Sequence, residues 1–219
     1  MAADEVAAAC RRAVTERGRA VIALSGGETP WKMIRALCSI SLPWERIHVA
    51  QVDERLVPRG DPRRNLARLE EILVQQGPLP PANLLAMPVE SEDPEHAARA
   101  YQQTLERRAG TPACLDLVQL GLGTDGHTAS LVPGDPVLAV RDRDVAVTAP
   151  YLGTQRMTLT CPALSRARQR LWLVTGAGKA DRLRQLLDGS GDAPATSVAR
   201  EDSVVVADAD ALRGDPSRG

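Results

Sequence analysis

Short apolar runs alternate with segments of helical periodicity along nearly the whole chain. The runs lie at 20–24, 47–52, 84–89, 115–120, 145–148, 157–160, 171–175 and 204–207. Each is too short for a buried helix and rich in residues that suit a pleated surface, so each predicts a strand. Between them, Leu66, Leu69 and Leu73 share one helical face. Ala98, Tyr101 and Leu105 do the same behind the start signals Ser91, Asp93 and Pro94. Leu183, Leu186 and Leu187 mark another helix, closed by Gly189. Alternation of this kind predicts a layered α/β domain on a mainly parallel sheet.

In such sheets ligands bind beyond the carboxyl ends of the strands. Four of the runs end in polar or glycine-rich clusters: "SGGETP" after the first, "DERLVP" after the second, "GLGTDGHTASLVPG" after the fourth and "GAGK" after the seventh. In "VIALSGGETP" the paired Gly26 and Gly27 allow a sharp turn, Thr29 stands where a helix cap belongs and Pro30 suits a first helical turn. A strand, a bare turn and a helix start can present amide N–H groups to an anion. The same residues also suit a plain strand-to-helix connection.

Charge and composition narrow the partners. A net charge of −1, a pI near 6.3 and five aromatic residues with no Phe give no footprint for nucleic acid. No apolar run approaches the roughly 20 residues needed to cross a bilayer, and "MAADEVAAACRRAVTERG" reads as an amphipathic helix and not as a secretion signal. A cytoplasmic protein is expected. Cys10, Cys38, Cys114 and Cys161 are scattered without a C-x-x-C pair, which predicts reduced core thiols and no structural metal. Of 27 cationic residues only Lys32 and Lys179 are Lys, two places where a compact ammonium is wanted. One domain over 1–212 and a disordered tail at 213–219 are expected.

"GLGTDG", Gly121–Gly126, matches the G-x-G-x-x-G dinucleotide pattern, but Pro133 and Gly134 interrupt the helix that pattern requires. Asp142 and Asp144, the acidic residues at the right distance, precede a strand instead of ending one. "GAGK" is no Walker loop, because Leu173 replaces its first glycine and Ala180 follows the lysine. The chemical content lies in Asp125 and His127. A histidine in a strand-end loop can move protons near neutrality, and a carboxylate two residues away can hold its tautomer. His48, in a strand, and His96, on a helix, read as structural. Ser25 lacks the nucleophile-elbow pattern and suits anion binding better.

In order and spacing, "ALSGGETP", "VDERLVPRGDPRRNL", "LVQLGLGTDGHTASLVPG", "RMTLT" and "VTGAGK" resemble the 6-phosphogluconolactonase family, over a span from about Ala20 to the last strand. The resemblance implies a three-layer α/β/α sandwich with a modified Rossmann-type sheet, no cofactor, and a sugar-phosphate lactone as substrate. It implies that Asp125 and His127 are the catalytic pair. Ser25, Gly26, Gly27 and Thr29 match the phosphate turn, with Arg156 and Lys179 as its cations. Asp53 and Arg55 match a substrate-contacting pair, and Asn65 the Asn that follows it. A monomer or weak homodimer is expected.

Three departures stand out. Glu28 replaces a small polar residue, so its carboxylate is expected to turn away from a phosphate. Val132 replaces a Phe. The stretch before the first helix is shorter than the family's, which carries a strand there, so an exposed sheet edge is expected. Two rival readings are a glucosamine-6-phosphate deaminase and a non-catalytic sugar-phosphate sensor. The deaminases carry a Glu after their Asp-Gly-His element, where "TASLVPG" has no carboxylate, and the sensor reading needs an output module.

Overall fold

The computed structural model describes residues 1–213. The expected tail at 213–219 lies outside them, apart from Arg213, which ends the last helix. In chain order the principal elements are α1 (Ala2–Arg17), β1 (Ala20–Leu24), α2 (Glu28–Cys38), β2 (Ile47–Gln51), β3 (Asp53–Arg55), α3 (Asn65–Leu69), β4 (Leu84–Leu85), α4 (Pro94–Ala109), β5 (Leu117–Leu120), β6 (Val145–Val147), β7 (Arg156–Leu159), α5 (Cys161–Arg166), β8 (Arg170–Val174), α6 (Ala180–Asp188), β9 (Ser203–Ala207) and α7 (Ala209–Arg213).

Six strands form a central sheet in the order β4-β2-β1-β5-β8-β9, and every neighbouring pair in it is parallel. β1, β2, β5 and β8 are buried along their whole length, as expected where helices cover both faces. Alternation divides β1 between two cores. Val21 and Ala23 face the side covered by α4, α5 and α6, while Ala20, Ile22 and Leu24 face α1 and α2. Helices on either side of one parallel sheet give three layers.

Local signals explain the main boundaries. Gly18 adopts the left-handed conformation that closes α1, and its N–H donates to the Val14 carbonyl. Asp93 caps α4 by accepting the His96 N–H at 2.9 Å. α3 runs on into a wider π-helical stretch, Glu70–Gln75, so Leu69 and Leu73 stay buried on one face.

Four expectations need correction. The run at 84–89 forms only the two-residue β4, because Pro88 cannot donate and the Met87 N–H turns to the Gln51 side chain at 2.8 Å. The runs at 145–148 and 157–160 do not join the parallel sheet. As β6 and β7 they make a separate antiparallel sheet, order β3-β7-β6, with Asp53–Arg55, a segment that reads as a strand-end turn. Leu187 is exposed, so only Leu183 and Leu186 carry the α6 face. Gly27, not Thr29, occupies the cap position of α2. The free edges of the central sheet are β4 and β9.

Candidate active site

The carboxyl ends of β1, β5 and β8 open onto a cavity of about 990 Å³, closed on one side by the small antiparallel sheet. Every site residue singled out from the sequence lines this cavity except Asp125, which sits behind the His127 ring.

The loop after β5 places the histidine. Its ends are tied by the Gly123 N–H donating to the His127 carbonyl (2.8 Å) and the Thr128 hydroxyl donating to the Gly121 carbonyl (2.8 Å). Asp125 Oδ1 lies 2.6 Å from His127 Nδ1 and also accepts the His127 backbone N–H at 3.1 Å. Burial opposes ionisation of Asp125, but those hydrogen bonds outweigh it and hold the carboxyl below the usual carboxylate range. An ionised carboxylate only accepts, so Nδ1 carries a proton, and in the neutral imidazole Nε2 is then the nitrogen with the free lone pair. Nε2 has no partner among the described residues.

The turn after β1 supplies the opposite wall. Ser25 is buried, with its N–H on the Gln119 side chain (3.1 Å) and its hydroxyl donating to the Gln119 carbonyl (2.9 Å). Its proton is therefore committed to shaping the turn. Gly26 leaves space for Asn65, since a Cβ there would lie 2.0 Å from Asn65 Oδ1. Beyond Gly27, the first-turn amides of α2 have no intrahelical acceptors. The Thr29 hydroxyl lies 2.8 Å from that of Thr175, joining this turn to the end of β8. Glu28 is exposed at the cavity and makes no ion pair among the described residues.

Cations gather beside the turn. Arg55 and Arg156 stand directly opposite each other across β3 and β7. Arg55 donates to Asn65 Oδ1 at 2.7 Å and to the Arg63 carbonyl at 3.1 Å, while Asn65 Nδ2 donates to the Asp53 carbonyl at 3.1 Å. Asn65 is thus a brace for Arg55. Arg156 is buried down to its Nε, lines the cavity, and among the described residues its guanidinium has no hydrogen bond or ion pair. Burial and then the neighbouring Arg55 push its pKa down, against the pull of nearby Asp53. Burial does the same to Lys179, which lies half-buried at the start of α6. Asp53 is buried and pushed upward by desolvation, partly offset by the Ser130 hydroxyl donating to it at 2.5 Å.

Sequence reasoning missed Ser130, Gln119 and Tyr151. Ser130 lies within "TASL", three residues after His127, so its position was a usable signal. Tyr151 has no motif around it and reaches the site only through the β6–β7 hairpin. Among the described residues no group of three or more His, Cys, Asp or Glu converges as a metal site. The four cysteines are unpaired.

Fold and site together define the class: an α/β enzyme with an imidazole–carboxylate pair facing a cationic cradle at the carboxyl end of a parallel sheet. The profile of the family described as glucosamine-6-phosphate isomerases/6-phosphogluconolactonase matches residues 1–207. The 6-phosphogluconolactonase of Synechocystis sp. is 41% identical over 185 residues, covering 83% of this chain and 77% of that one. That of Mycobacterium tuberculosis is 34% identical over 219 residues, covering 94% and 89%. The crystal structure of 6-phosphogluconolactonase from Thermotoga maritima superposes with a TM-score of 0.84 at 28% identity, covering 94% and 92%. The chain belongs to the glucosamine-6-phosphate isomerase/6-phosphogluconolactonase family.

Proposed function

We propose that this protein hydrolyses 6-phosphoglucono-1,5-lactone to 6-phosphogluconate, the lactonase step of the oxidative pentose phosphate pathway, with His127 as general base. One observation carries the reading. Two arginines face each other across an antiparallel pair, an arrangement that repels, and the buried one makes no hydrogen bond or ion pair among the described residues. A doubly charged phosphate placed between them, Lys179 and the first turn of α2 resolves that repulsion. The relatives named above supply the identity of the lactone.

Gripping the phosphate converts remote binding energy into orientation of the lactone carbonyl toward His127. Nε2 takes a proton from a water molecule as its oxygen bonds to C1. The C1–O5 bond then breaks, and Nε2 returns the proton to the departing ring oxygen. Asp125 fixes the ring and stabilises the imidazolium formed in between. Asp53, Arg55 and Asn65 hold the substrate end of the cradle. A cytoplasmic enzyme, acting as a monomer or weak homodimer on a small sugar phosphate and using no cofactor, belongs to the same proposal. Among the described residues no helix is long and apolar enough to cross a membrane.

Acid formation from 6-phosphoglucono-lactone, measured above the spontaneous background, tests this. His127→Ala should lower kcat by roughly 10²–10⁴-fold, the usual contribution of a general base, with 6-phosphogluconate affinity close to that of the parent. Near-parental turnover in the variant would refute the assignment.

A further inference from the structure

The β6–β7 hairpin turns tightly at Tyr151–Thr154, which pair around Leu152 and Gly153, both at positive φ. This turn brings Tyr151 against two parts of the site at once. Its hydroxyl donates to Asp125 Oδ2 at 3.4 Å, the oxygen that His127 leaves unused. Its ring face lies 5.1 Å from the Arg156 guanidinium carbon, and no other group among the described residues engages that guanidinium. The rings of Tyr151 and His127 lie 6.4 Å apart, centroid to centroid, tilted by 60°. Below the tip, the hairpin is fixed by the Arg156 N–H donating to the Thr148 hydroxyl and by the Gln155 side chain donating to the Thr148 carbonyl.

We infer that Tyr151 is a positioning residue that serves both ends of the substrate, seating Arg156 for the phosphate and locking Asp125 behind the catalytic imidazole. The inference rests on the lactonase reading and adds to it a residue that touches neither reacting atom. The two roles use different atoms. A phenol oxygen on Oδ2 stops the Asp125 carboxylate from rotating about its Cβ–Cγ bond, so Oδ1 stays on Nδ1. An aromatic face holds a desolvated guanidinium by cation–π attraction without neutralising it. A carboxylate in that place would bind Arg156 more strongly and compete with the phosphate. Tyrosine leaves the charge available.

The two roles separate by substitution. Tyr151→Phe keeps the ring and removes the hydroxyl. It should lower kcat roughly 2–12-fold, the range of one hydrogen bond, while KM and the affinity for 6-phosphogluconate stay within about twofold of the parent. Tyr151→Leu removes both. It should show the same fall in kcat and, in addition, a rise of roughly 2–30-fold in KM and in the calorimetric Kd for 6-phosphogluconate, the range of a partly desolvated cation–π contact. Because Phe preserves the packing of the hairpin, it keeps the test valid if the Leu variant folds poorly. Equal effects of the two substitutions, or no effect of Tyr151→Phe on kcat, would overturn the inference. A calorimetric titration of inorganic phosphate into parent and Tyr151→Leu reads the seat of Arg156 without any lactone. A parent that leaves the lactone at its spontaneous rate sinks the functional reading alone, whereas equal phosphate affinity in parent and Leu variant sinks the role of Tyr151.

Discussion

A Cβ built on Gly123 would fall 2.2 Å from His127 Nδ1 and 2.5 Å from Asp125 Oδ1. The imidazole–carboxylate pair is therefore packed against bare backbone, and its geometry depends on a missing side chain as much as on those present. Gly123→Ala has to push the pair aside, and a displacement near 1 Å in a catalytic group costs about 10²-fold in rate. We expect kcat to fall by about that factor with 6-phosphogluconate affinity little changed, read by steady-state kinetics beside calorimetry. Unchanged kcat would mean that the pair can be displaced without loss of function. Asp125 and His127 were legible in the sequence because a polar loop after an apolar run is a recognisable place for chemistry. Gly123 was legible only as one glycine of a misleading G-x-G-x-x-G pattern. Its use lies in a contact that no spacing rule encodes.

Among elements, the start of α3 depends on a buried carboxylate. Glu54 has no exposed side-chain surface. Oε1 accepts the N–H groups of Arg55 and Asn65 at 2.9 Å each, and Oε2 accepts those of Leu66 at 2.7 Å and of the Gln51 side chain at 2.9 Å. Arg64 Nε lies 3.4 Å from Oε2. Glu54→Ala leaves these four buried donors without their acceptor, while Arg64 keeps Glu90 as its ion-pair partner at 3.0 Å. At about 1 kcal/mol or more for each orphaned donor, the loss is about 3–5 kcal/mol. For a chain of this size that lowers Tm by roughly 6–20 °C, a shift that thermal unfolding would show. KM should rise as well, because Asn65, which braces Arg55, is the first residue of that helix. A small shift in Tm would show that water replaces the carboxylate. "VDER" reads from sequence as part of a polar cluster at a strand end, since three polar residues carry no alternation that marks a strand. Its pairing with β7, about a hundred residues later, makes it one. The middle of the central sheet was readable because β1, β2, β5 and β8 are largely apolar runs buried on both faces. The small sheet was not, because register between distant short strands leaves no local trace. Tyr151 was invisible for the same reason.

At the scale of the whole molecule, the proposed phosphate cradle carries a penalty that a bound anion would relieve. Arg156 is buried opposite a like charge, and its lowered pKa states the sign: a base whose protonated form is disfavoured by folding weakens the fold wherever it is charged. A guanidinium stays charged across the accessible pH range, so no change of pH removes the penalty, and only an anion or a substitution can. Arg156→Met should therefore raise the Tm of the free protein by a few degrees, corresponding to roughly 1–3 kcal/mol from replacing a buried charge with an apolar side chain. In the parent, 6-phosphogluconate at about a hundred times its Kd should stabilise by about 2.7 kcal/mol, or roughly 5–11 °C. The same ligand concentration should move the Met variant far less, and gluconate, lacking the phosphate, should move neither. The two thermal shifts have opposite causes and are read in one experiment. If Arg156→Met melts below the parent and still responds fully to 6-phosphogluconate, the guanidinium is a structural cation and the phosphate is held elsewhere in the cavity.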